Sequence, residues 1–448
     1  MTNRLLNNLL YRTKECHSEG VVCPRNLLFF VLVLSLLFSA TFAAAQQAPA
    51  QQAPSAPKPK VRAITAFVNV DRSRYQIDFS EAVNFLRKAQ LTFEKDGYNV
   101  QTLRIATQPF NEYTEGMTND EALRFFKNLD AIAQEDKIVI SIGPAYLSGE
   151  DGDAQAALLA NILQNSKSLY GTVVVTDKDG VNWFAVRAAA RVMKQLSEKT
   201  AHSEGNFRFA AIANVPPGAP FFPAAYDTGG GKRFAVGLES AGTVAAAFNG
   251  ATDHANAKRR LIDTYFQQAF EIEDIGEKLD AMYAWSYLGV DLSPVPGPDN
   301  SIGAAIESLS KQPFGTSGTL SAVAVITSAI KEIGARKTGY SGLMLPVLED
   351  ARLAERWNAG LISLDSLMSY SAVCGTGLDT IPLPGNTSEE TLARIIGDVA
   401  TLSVKWSKPL SARLMPIAGK HAGERTEFTD PRFMNGLIQA VETRDSLR

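Results

Sequence analysis

VRAITAFVNV at residues 61–70 is rich in Val, Ile and Phe and has an alternating pattern, which predicts a β-strand. FSEAVNFLRKAQLTF at residues 79–93 instead repeats apolar residues three or four positions apart, which predicts a helix. VQTLRIA at residues 100–106 is again strand-like. The three segments together predict a strand–helix–strand unit, the building block of an α/β fold.

The same alternation continues along the chain. Short apolar segments predict strands at residues 137–142, 172–176 and 208–212, and helical patterns lie between them at residues 154–163 and 184–196. Strands that alternate with helices predict a largely parallel sheet.

The second half is predicted to be more helical, with one late strand. The predicted helices are 257–287, 319–333, 364–373 and 389–406, and the strand is 410–417. Thr387 and Glu390 suit a capping box at the start of the last helix. Because no shift of composition divides residues 61–448, we predict a single α/β domain there.

The N-terminal segment has the pattern of a signal peptide. Basic residues precede the apolar run at residues 27–38, and Ala43, Ala44 and Ala45 provide a cleavage site. We expect a signal peptide at residues 1–45, cleavage after Ala45, and export to the periplasm or the medium. An uncleaved leader would be the only membrane attachment.

Residues 46–60, QQAPAQQAPSAPKPK, contain no large apolar side chain and predict an extended linker. The 448 residues carry a formal net charge of −3, which gives no electrostatic argument for binding nucleic acid. Of three cysteines, Cys16 and Cys23 precede the apolar run, so only Cys374 stays in the mature chain. We therefore expect no internal disulfide.

Common catalytic motifs are incomplete in this chain. GGGK at residues 229–232 lacks the remainder of a phosphate-binding loop, and GYSG at residues 339–342 lacks the last glycine of a nucleophile elbow. SAIK at 328–331 and KTG at 337–339 are too close together for a penicillin-binding protein. The four histidines do not share a helix face, so a histidine-rich zinc site is not expected, and neither a metal nor a cofactor can be assigned.

The most informative stretch is SAVCGTGLDTIPLPGNTSEETLARIIGDVATLSVKWSKPLSARLMPIAGK at residues 371–420. It resembles the domain-of-unknown-function 711 family (DUF711). The residues that carry the resemblance are VCGTGLD at 373–379, IP at 381–382, Arg413, Pro416, GK at 419–420, Gly423 and EF at 427–428, with LSP at 292–294, FGTSGT at 314–319, YSG at 340–342, ED at 349–350 and VRAITA at 61–66 upstream.

This resemblance implies a closed ten-stranded α/β barrel with a loop inserted into its centre and helices outside, similar to pyruvate formate-lyase and ribonucleotide reductase. In those enzymes a cysteine on the central loop carries a thiyl radical, and Cys374, flanked by Gly375 and Gly377, suits such a loop. However, the C-terminal region has no glycyl-radical signature. The alternative is that Cys374 is a small buried core residue.

The polar residues of the same blocks are the candidate site. We predict Cys374, Asp379 and Glu349 as catalytic residues. The predicted ligand-binding residues are Thr316, Ser317, Thr319, Ser341, Arg413 and Lys420. Hydroxyls and backbone N–H groups before a helix suit an anion, and an arginine can bind a carboxylate or phosphate with two hydrogen bonds. Each of these residues could instead cap a turn or a helix or form an ion pair.

Three functions follow from this reading. The first is an enzyme that acts on a small polar or anionic substrate in a central pocket. The second is a non-catalytic periplasmic protein that binds a small ligand, and the third is radical chemistry at Cys374. A carboxyl pair in one pocket, such as Asp379 with Glu349 or Glu239, would favour an enzyme. Whether the chain forms a homo-oligomer stays open.

Overall fold

A computed structural model describes residues 58–147 and 152–441, and most of their backbone lies in helices and strands. The strands are β1 (Lys60–Val68), β2 (Leu103–Thr107), β3 (Val139–Ala145), β4 (Leu169–Val174), β5 (Thr176–Asp177), β6 (Gly180–Val181), β7 (Phe209–Ala213), β8 (Arg233–Glu239), β9 (Ser286–Asp291), β10 (Gly377–Pro384) and β11 (Leu410–Ile417).

The α-helices connect these strands. They are α1 (Tyr75–Lys95), α2 (Phe110–Thr114), α3 (Asn119–Glu135), α4 (Gly152–Gln164), α5 (Trp183–Lys199), α6 (Ala241–Phe248), α7 (His254–Tyr283), α8 (Ile302–Ser310), α9 (Thr319–Glu332), α10 (Ala351–Asn358), α11 (Leu364–Ser371) and α12 (Glu389–Trp406). A 3₁₀ segment, Ala201–Arg208, leads into β7.

Nine strands form one sheet in the order β10-β11-β7-β4-β3-β2-β1-β8-β9. The five central strands β7, β4, β3, β2 and β1 are parallel to one another. On one side, β8 pairs antiparallel with β1, and β9 is parallel to β8. On the other side, β11 pairs antiparallel with β7, and β10 is parallel to β11. The prediction of an α/β fold with a largely parallel sheet is therefore confirmed.

Alternate residues of the strands face two different apolar layers, as the period of a strand requires. On β7, Phe209 and Ala211 belong to the main core with the helices, whereas Ala210 and Ile212 belong to a second cluster. We call the face that carries Ala210 and Ile212 the inner face. Because both faces are apolar, the sheet is buried on both sides.

Two irregular segments cover the inner face. Residues 214–227 form the covering loop, which contributes Phe222 and Tyr226 to the second cluster, and residues 424–438 contribute Phe428 and Phe433. The Thr65 hydroxyl of β1 donates a hydrogen bond to the Pro220 carbonyl of the covering loop. The inner face is thus a packed interior.

A closed barrel is not detected. Within the described ranges, β9 and β10 are the edges of the large sheet and do not pair with each other. Single bridges join Val290 of β9 to Lys337 and Asp379 of β10 to Pro346. The closure implied by the family resemblance is therefore not part of the observed sheet.

The segment at residues 337–347 packs closely against the start of β10. A Cβ atom on Gly342 would lie 2.7 Å from the Cα atom of Gly375, and one on Gly375 would lie 2.4 Å from the Cα atom of Gly342. The Gly375 N–H donates to the Leu343 carbonyl at 2.8 Å. Only glycine leaves room for this approach of two backbones.

Some local predictions need correction. The predicted helix at 257–287 ends at Tyr283, because Ala284 adopts a left-handed conformation (φ 55°), and the next residues begin β9. The last long helix is capped by Ser388, whose side chain accepts from the Thr391 N–H at 3.1 Å, and not by Thr387.

The predicted signal peptide and most of the predicted linker lie outside the described residues. Among the helices that are described, none is long and apolar enough to cross a membrane.

Candidate functional site

Arg413 is at the centre of a buried charge cluster on the inner face. Its Nε atom is 2.5 Å from Asp379 Oδ1 and its Nη2 atom is 2.6 Å from Glu349 Oε1. Leu378 of β10 pairs with Ala412 of β11 and Ile381 pairs with Leu414, so Asp379 lies beside Arg413 at an irregularity of this parallel pair. Glu349 reaches the pair from the turn before α10. One guanidinium thus holds two carboxyl groups in one place.

Aromatic rings lie next to this cluster, and its side chains are buried. The Arg413 guanidinium lies 4.7 Å from the ring centre of Phe207 and 5.6 Å from that of Phe222. The side chain of Arg413 is 5% exposed and that of Asp379 is fully buried. Charges in such surroundings interact more strongly than in water, because the local dielectric response is weak.

The two carboxyl groups are not equivalent. Burial raises the pKa of Glu349, Arg413 opposes this, and the neighbouring Asp379 raises it further. Asp379 Oδ2 is buried and has no hydrogen-bond partner among the described residues. Burial lowers the pKa of Arg413, but Asp379 and Glu349 outweigh this effect and the pKa is raised. Arg413 therefore stays charged, while Glu349 is biased towards its protonated form.

A second buried arginine has a different environment. Arg104 lies on β2, and its Nε and Nη1 atoms are buried without a hydrogen-bond partner in the described part of the chain. Its guanidinium is 5.4 Å from the ring centre of Tyr170 on β4. Burial is the main cause that lowers the pKa of Arg104 to about 10, so the side chain is still charged at neutral pH.

Arg432 connects this interior to the surface. Its guanidinium lies 4.3 Å from the ring centre of Phe207, and its Nη1 atom is 3.4 Å from the Tyr170 hydroxyl. It also forms an ion pair with Asp430. Arg432 and Phe207 line a surface pocket of about 350 Å³, together with Arg208. The pocket therefore adjoins the residues that surround both buried arginines.

Cys374 is buried but lies apart from Arg413. It belongs to the main core, on the helix-covered side of the sheet, and its Sγ atom is 3.5 Å from the Gly377 N–H. A cleft of about 380 Å³ beside it is lined by Lys331 and Lys408. Lys408 donates to the Cys374 carbonyl at 2.7 Å. The expectation that Cys374 faces the same cavity as Asp379 is not reproduced in the described residues.

The predicted ligand-binding residues Thr316 and Thr319 bond to their own loop and not to the cluster around Arg413. Thr316 donates to the Pro313 carbonyl, and the Thr319 hydroxyl accepts from the Gly315 N–H at 3.1 Å. Ser317 makes no hydrogen bond or ion pair with the residues that the structure describes. A Cβ on Gly315 would meet the Leu361 carbonyl oxygen at 2.1 Å, so this loop packs tightly against the end of α10. The hydroxyls of Thr316 and Thr319 here stabilise a turn and a helix start.

Ser341 and Lys420 also have local partners. The Ser341 hydroxyl donates to the Thr338 carbonyl at 2.9 Å, and Lys420 forms an ion pair of 2.8 Å with Glu427. Glu239, the alternative partner considered for Asp379, instead lies 3.1 Å from Lys60. Of the predicted residues, the structure brings together Asp379, Glu349 and Arg413.

Sequence reasoning missed Arg104, Tyr170 and Arg432. A signal for Arg104 was available, because it is a lone charged residue between Leu103 and Ile105 in an apolar strand. Strands of a parallel sheet are usually apolar throughout, so a charge within one is informative. In the described ranges, no group of three or more His, Cys, Asp or Glu side chains could hold a metal ion.

Fold and site together define a mixed α/β protein with buried arginines and carboxyl groups on the inner face of its sheet. Residues 55–432 match the family described as Uncharacterised ACR (DUF711), and the chain belongs to that family. It is 32% identical over 373 residues to a UPF0210 protein of Pyrobaculum arsenaticum, covering 79% of this chain and 81% of the relative. A UPF0210 protein of Pyrobaculum aerophilum is 31% identical over 412 residues, covering 85% and 90%.

Proposed function

We propose that this protein is an enzyme that carries out acid–base chemistry on a small polar or anionic substrate at the inner face of the sheet. The observation that supports this most directly is the pair of carboxyl groups on Arg413. Burial and Asp379 raise the pKa of Glu349, and two neighbouring acids with different environments can divide the roles of acid and base.

In this proposal Glu349 exchanges a proton with the substrate. Asp379 has a free carboxylate oxygen, Oδ2, in the interior, and Arg413 holds both groups in a fixed orientation. A positioned carboxyl group of raised pKa accelerates proton transfer by about 10²–10⁴-fold. Arg413 is thus a positioning residue.

The test begins with a search for a ligand. Small carboxylic acids and phosphorylated metabolites are screened for an increase in the melting temperature of the wild-type protein. Each hit is then incubated with the protein in D₂O, and NMR follows its conversion or the exchange of its C–H positions. The matched variants are Glu349→Gln and, as a control, Glu355→Gln on the exposed side of α10.

We expect Glu349→Gln to bind the hit but to convert it at least about 10²-fold more slowly, whereas Glu355→Gln should behave like the wild type. A ligand that binds tightly but is not converted by the wild-type protein would contradict catalysis. The protein would then be a small-ligand-binding protein. Arg413 is avoided in this test because its removal leaves two buried carboxyl groups unpaired.

We further propose that residues 337–347 complete the interior by joining the two edges of the sheet, as the family resemblance implies. The Thr338 N–H donates to Val290 of β9, and the Val347 N–H donates to Asp379 of β10, both at 3.1 Å. Slow hydrogen exchange at these two amides would support a closed arrangement. Exchange at the rate of an exposed loop would contradict it.

A further inference from the structure

Arg104 is a buried charge for which the described structure shows no counter-ion. The residue is 8% exposed, and its Nε and Nη1 atoms have no hydrogen-bond partner within residues 58–147 and 152–441. A buried guanidinium without acceptors is strongly unfavourable, because it loses its hydration and gains nothing in return. The fold nevertheless places it near the start of β2, one of the five central parallel strands.

Three neighbouring arginines add to the uncompensated positive charge around Arg104. Arg62, Arg413 and Arg432 are close enough to lower its pKa through charge repulsion. The carboxylates near these groups already have partners, since Asp379 and Glu349 bond to Arg413 and Asp430 bonds to Arg432. The region around Arg104 therefore favours an added negative charge.

A second unpaired donor lies on the neighbouring strand. Ser141 of β3 faces the inner side, because Ile140 and Ile142 both belong to the main core. Its hydroxyl is buried and has no partner among the described residues. Ser141 is aligned with Tyr170, whose ring lies against Arg104. Two strands thus present unpaired donors next to the same aromatic ring.

We propose that Arg104, with Ser141, binds the oxyanion group of the substrate, either a carboxylate or a phosphate. This inference rests on the proposed function and adds the chemical class of the substrate. A guanidinium binds either anion with two parallel hydrogen bonds. Tyr170 supports the flat face of the guanidinium, and the Ser141 hydroxyl donates to a further oxygen atom.

A surface pocket with basic side chains lies beside the tyrosine that contacts Arg104. The pocket of about 350 Å³ is lined by Lys167, Arg208 and Arg432, and Arg432 contacts Tyr170. Basic side chains at the entrance attract an anion before it meets the buried arginine.

The experiment measures binding of inorganic phosphate and of acetate by thermal shift, at an ionic strength kept constant with sodium chloride. The test variants are Arg104→Gln, which removes the charge, and Arg104→Lys, which keeps it but loses the planar fork. The control is Arg260→Gln, whose guanidinium donates to the Ala247 and Asn249 carbonyls of another region.

We expect a saturable stabilisation of the wild type and the control by at least one of the two anions. The apparent Kd should weaken about tenfold or more in Arg104→Gln, and less in Arg104→Lys. Whichever anion binds more tightly identifies the carboxylate or phosphate class. Without added anion, Arg104→Gln should melt at the same temperature or higher, because an unpaired charge has been removed.

The inference is overturned if neither anion stabilises the wild type, or if Arg104→Gln responds as the wild type does. If Arg104→Gln does not fold, an undiminished response of Arg104→Lys overturns it equally. Anion binding that depends on Arg104 but is accompanied by no turnover supports the anion site and rejects the proposed enzyme. The two proposals therefore fail in different measurements.

Discussion

Glu349 and Asp350 are adjacent in the chain, yet their carboxyl groups are held in different ways. Glu349 contacts Arg413 on the inner face of the sheet. Asp350 accepts hydrogen bonds from the Ser301 hydroxyl at 2.6 Å and from the Ile302 N–H at 2.6 Å. The first carboxyl group thus bonds to a side chain of the inner face, whereas the second bonds to backbone and side-chain partners at helix starts.

We predict that Glu349→Gln changes how stability depends on pH. Burial raises the pKa of Glu349, so the folded state binds its proton more tightly than the unfolded state does. Wild-type stability should therefore fall as the pH rises from about 4.3 through the raised pKa of the folded state. The variant lacks this titration and should show a flatter curve.

Thermal unfolding of the wild type and of Glu349→Gln between pH 4 and pH 8 checks this prediction. Near neutral pH the variant should melt at the same temperature as the wild type or a few degrees higher, by about 1–3 °C. Glu355→Gln is the control, since its carboxyl group is on the surface of α10 and more than half exposed. A lower melting temperature of Glu349→Gln across the whole range would show that the charged form is stabilising.

Among the elements, α8 and α10 share one buried carboxylate at their starts. Asp350 is the N-cap of α10, where it accepts from the Arg352 and Leu353 N–H groups, both at 3.0 Å. It also accepts from the first N–H group of α8 at Ile302. A single buried side chain thus bonds to two helix starts, of which α8 also has Ser301 as its N-cap, and it fixes the turn that carries Glu349.

We predict that Asp350→Ala destabilises the protein by more than about 2 kcal/mol, because it leaves several buried donors without acceptors. Asp253→Ala is the matched control. Asp253 caps α7 on the surface, where its side chain accepts from the Asn256 N–H and from the Thr252 hydroxyl, and its loss should cost about 1 kcal/mol. Urea unfolding measures both, and equal effects would contradict the shared-cap argument.

The sequence patterns identified several elements with a clear period, but α3 and β8 were not predicted although their residues also repeat at helical and strand spacing. The predicted bounds of α12 and β11 agree with the structure, because their apolar residues repeat at helical and strand spacing. β10, GLDTIPLP, was not predicted, since two prolines and a glycine disfavour a strand. Prolines are tolerated there because β10 is an edge of the sheet.

The candidate site was predictable only in part, because local sequence patterns do not determine which strands are neighbours in the sheet. The family resemblance drew attention to Asp379, Glu349 and Arg413, and their side chains do meet. Arg104 and Tyr170 come from strands far from these residues in the sequence, so their proximity depends on the order of strands in the sheet. Local spacing carries no information on that order.

At the scale of the whole molecule, both faces of the sheet are covered. Helices cover one face, and the inner face is covered by residues 214–227 and 424–438. A substrate that reaches the buried arginines must therefore pass beside these segments, where the pocket lined by Arg432 lies. The match to the family begins at residue 55, after the predicted leader.

We propose that the mature protein is exported, because the apolar run at 27–38 precedes three alanines that suit a signal peptidase. Mass spectrometry of the protein recovered outside the cytoplasm should find an N-terminus near Gln46. Replacing Ala43 and Ala45 together with Arg should block this cleavage. Recovery of the full-length wild-type chain from the cytoplasm would contradict export.

The contact between Gly342 and Gly375 also limits what related sequences can reveal about this fold. Contacts are often inferred from positions that change together during evolution, and such inference needs both positions to vary. A methyl group at either position meets the backbone of the other, and no second substitution can shorten a backbone. Relatives that keep this crossing should have glycine at both positions, so correlated substitutions will not report the close approach of residues 337–347 to β10.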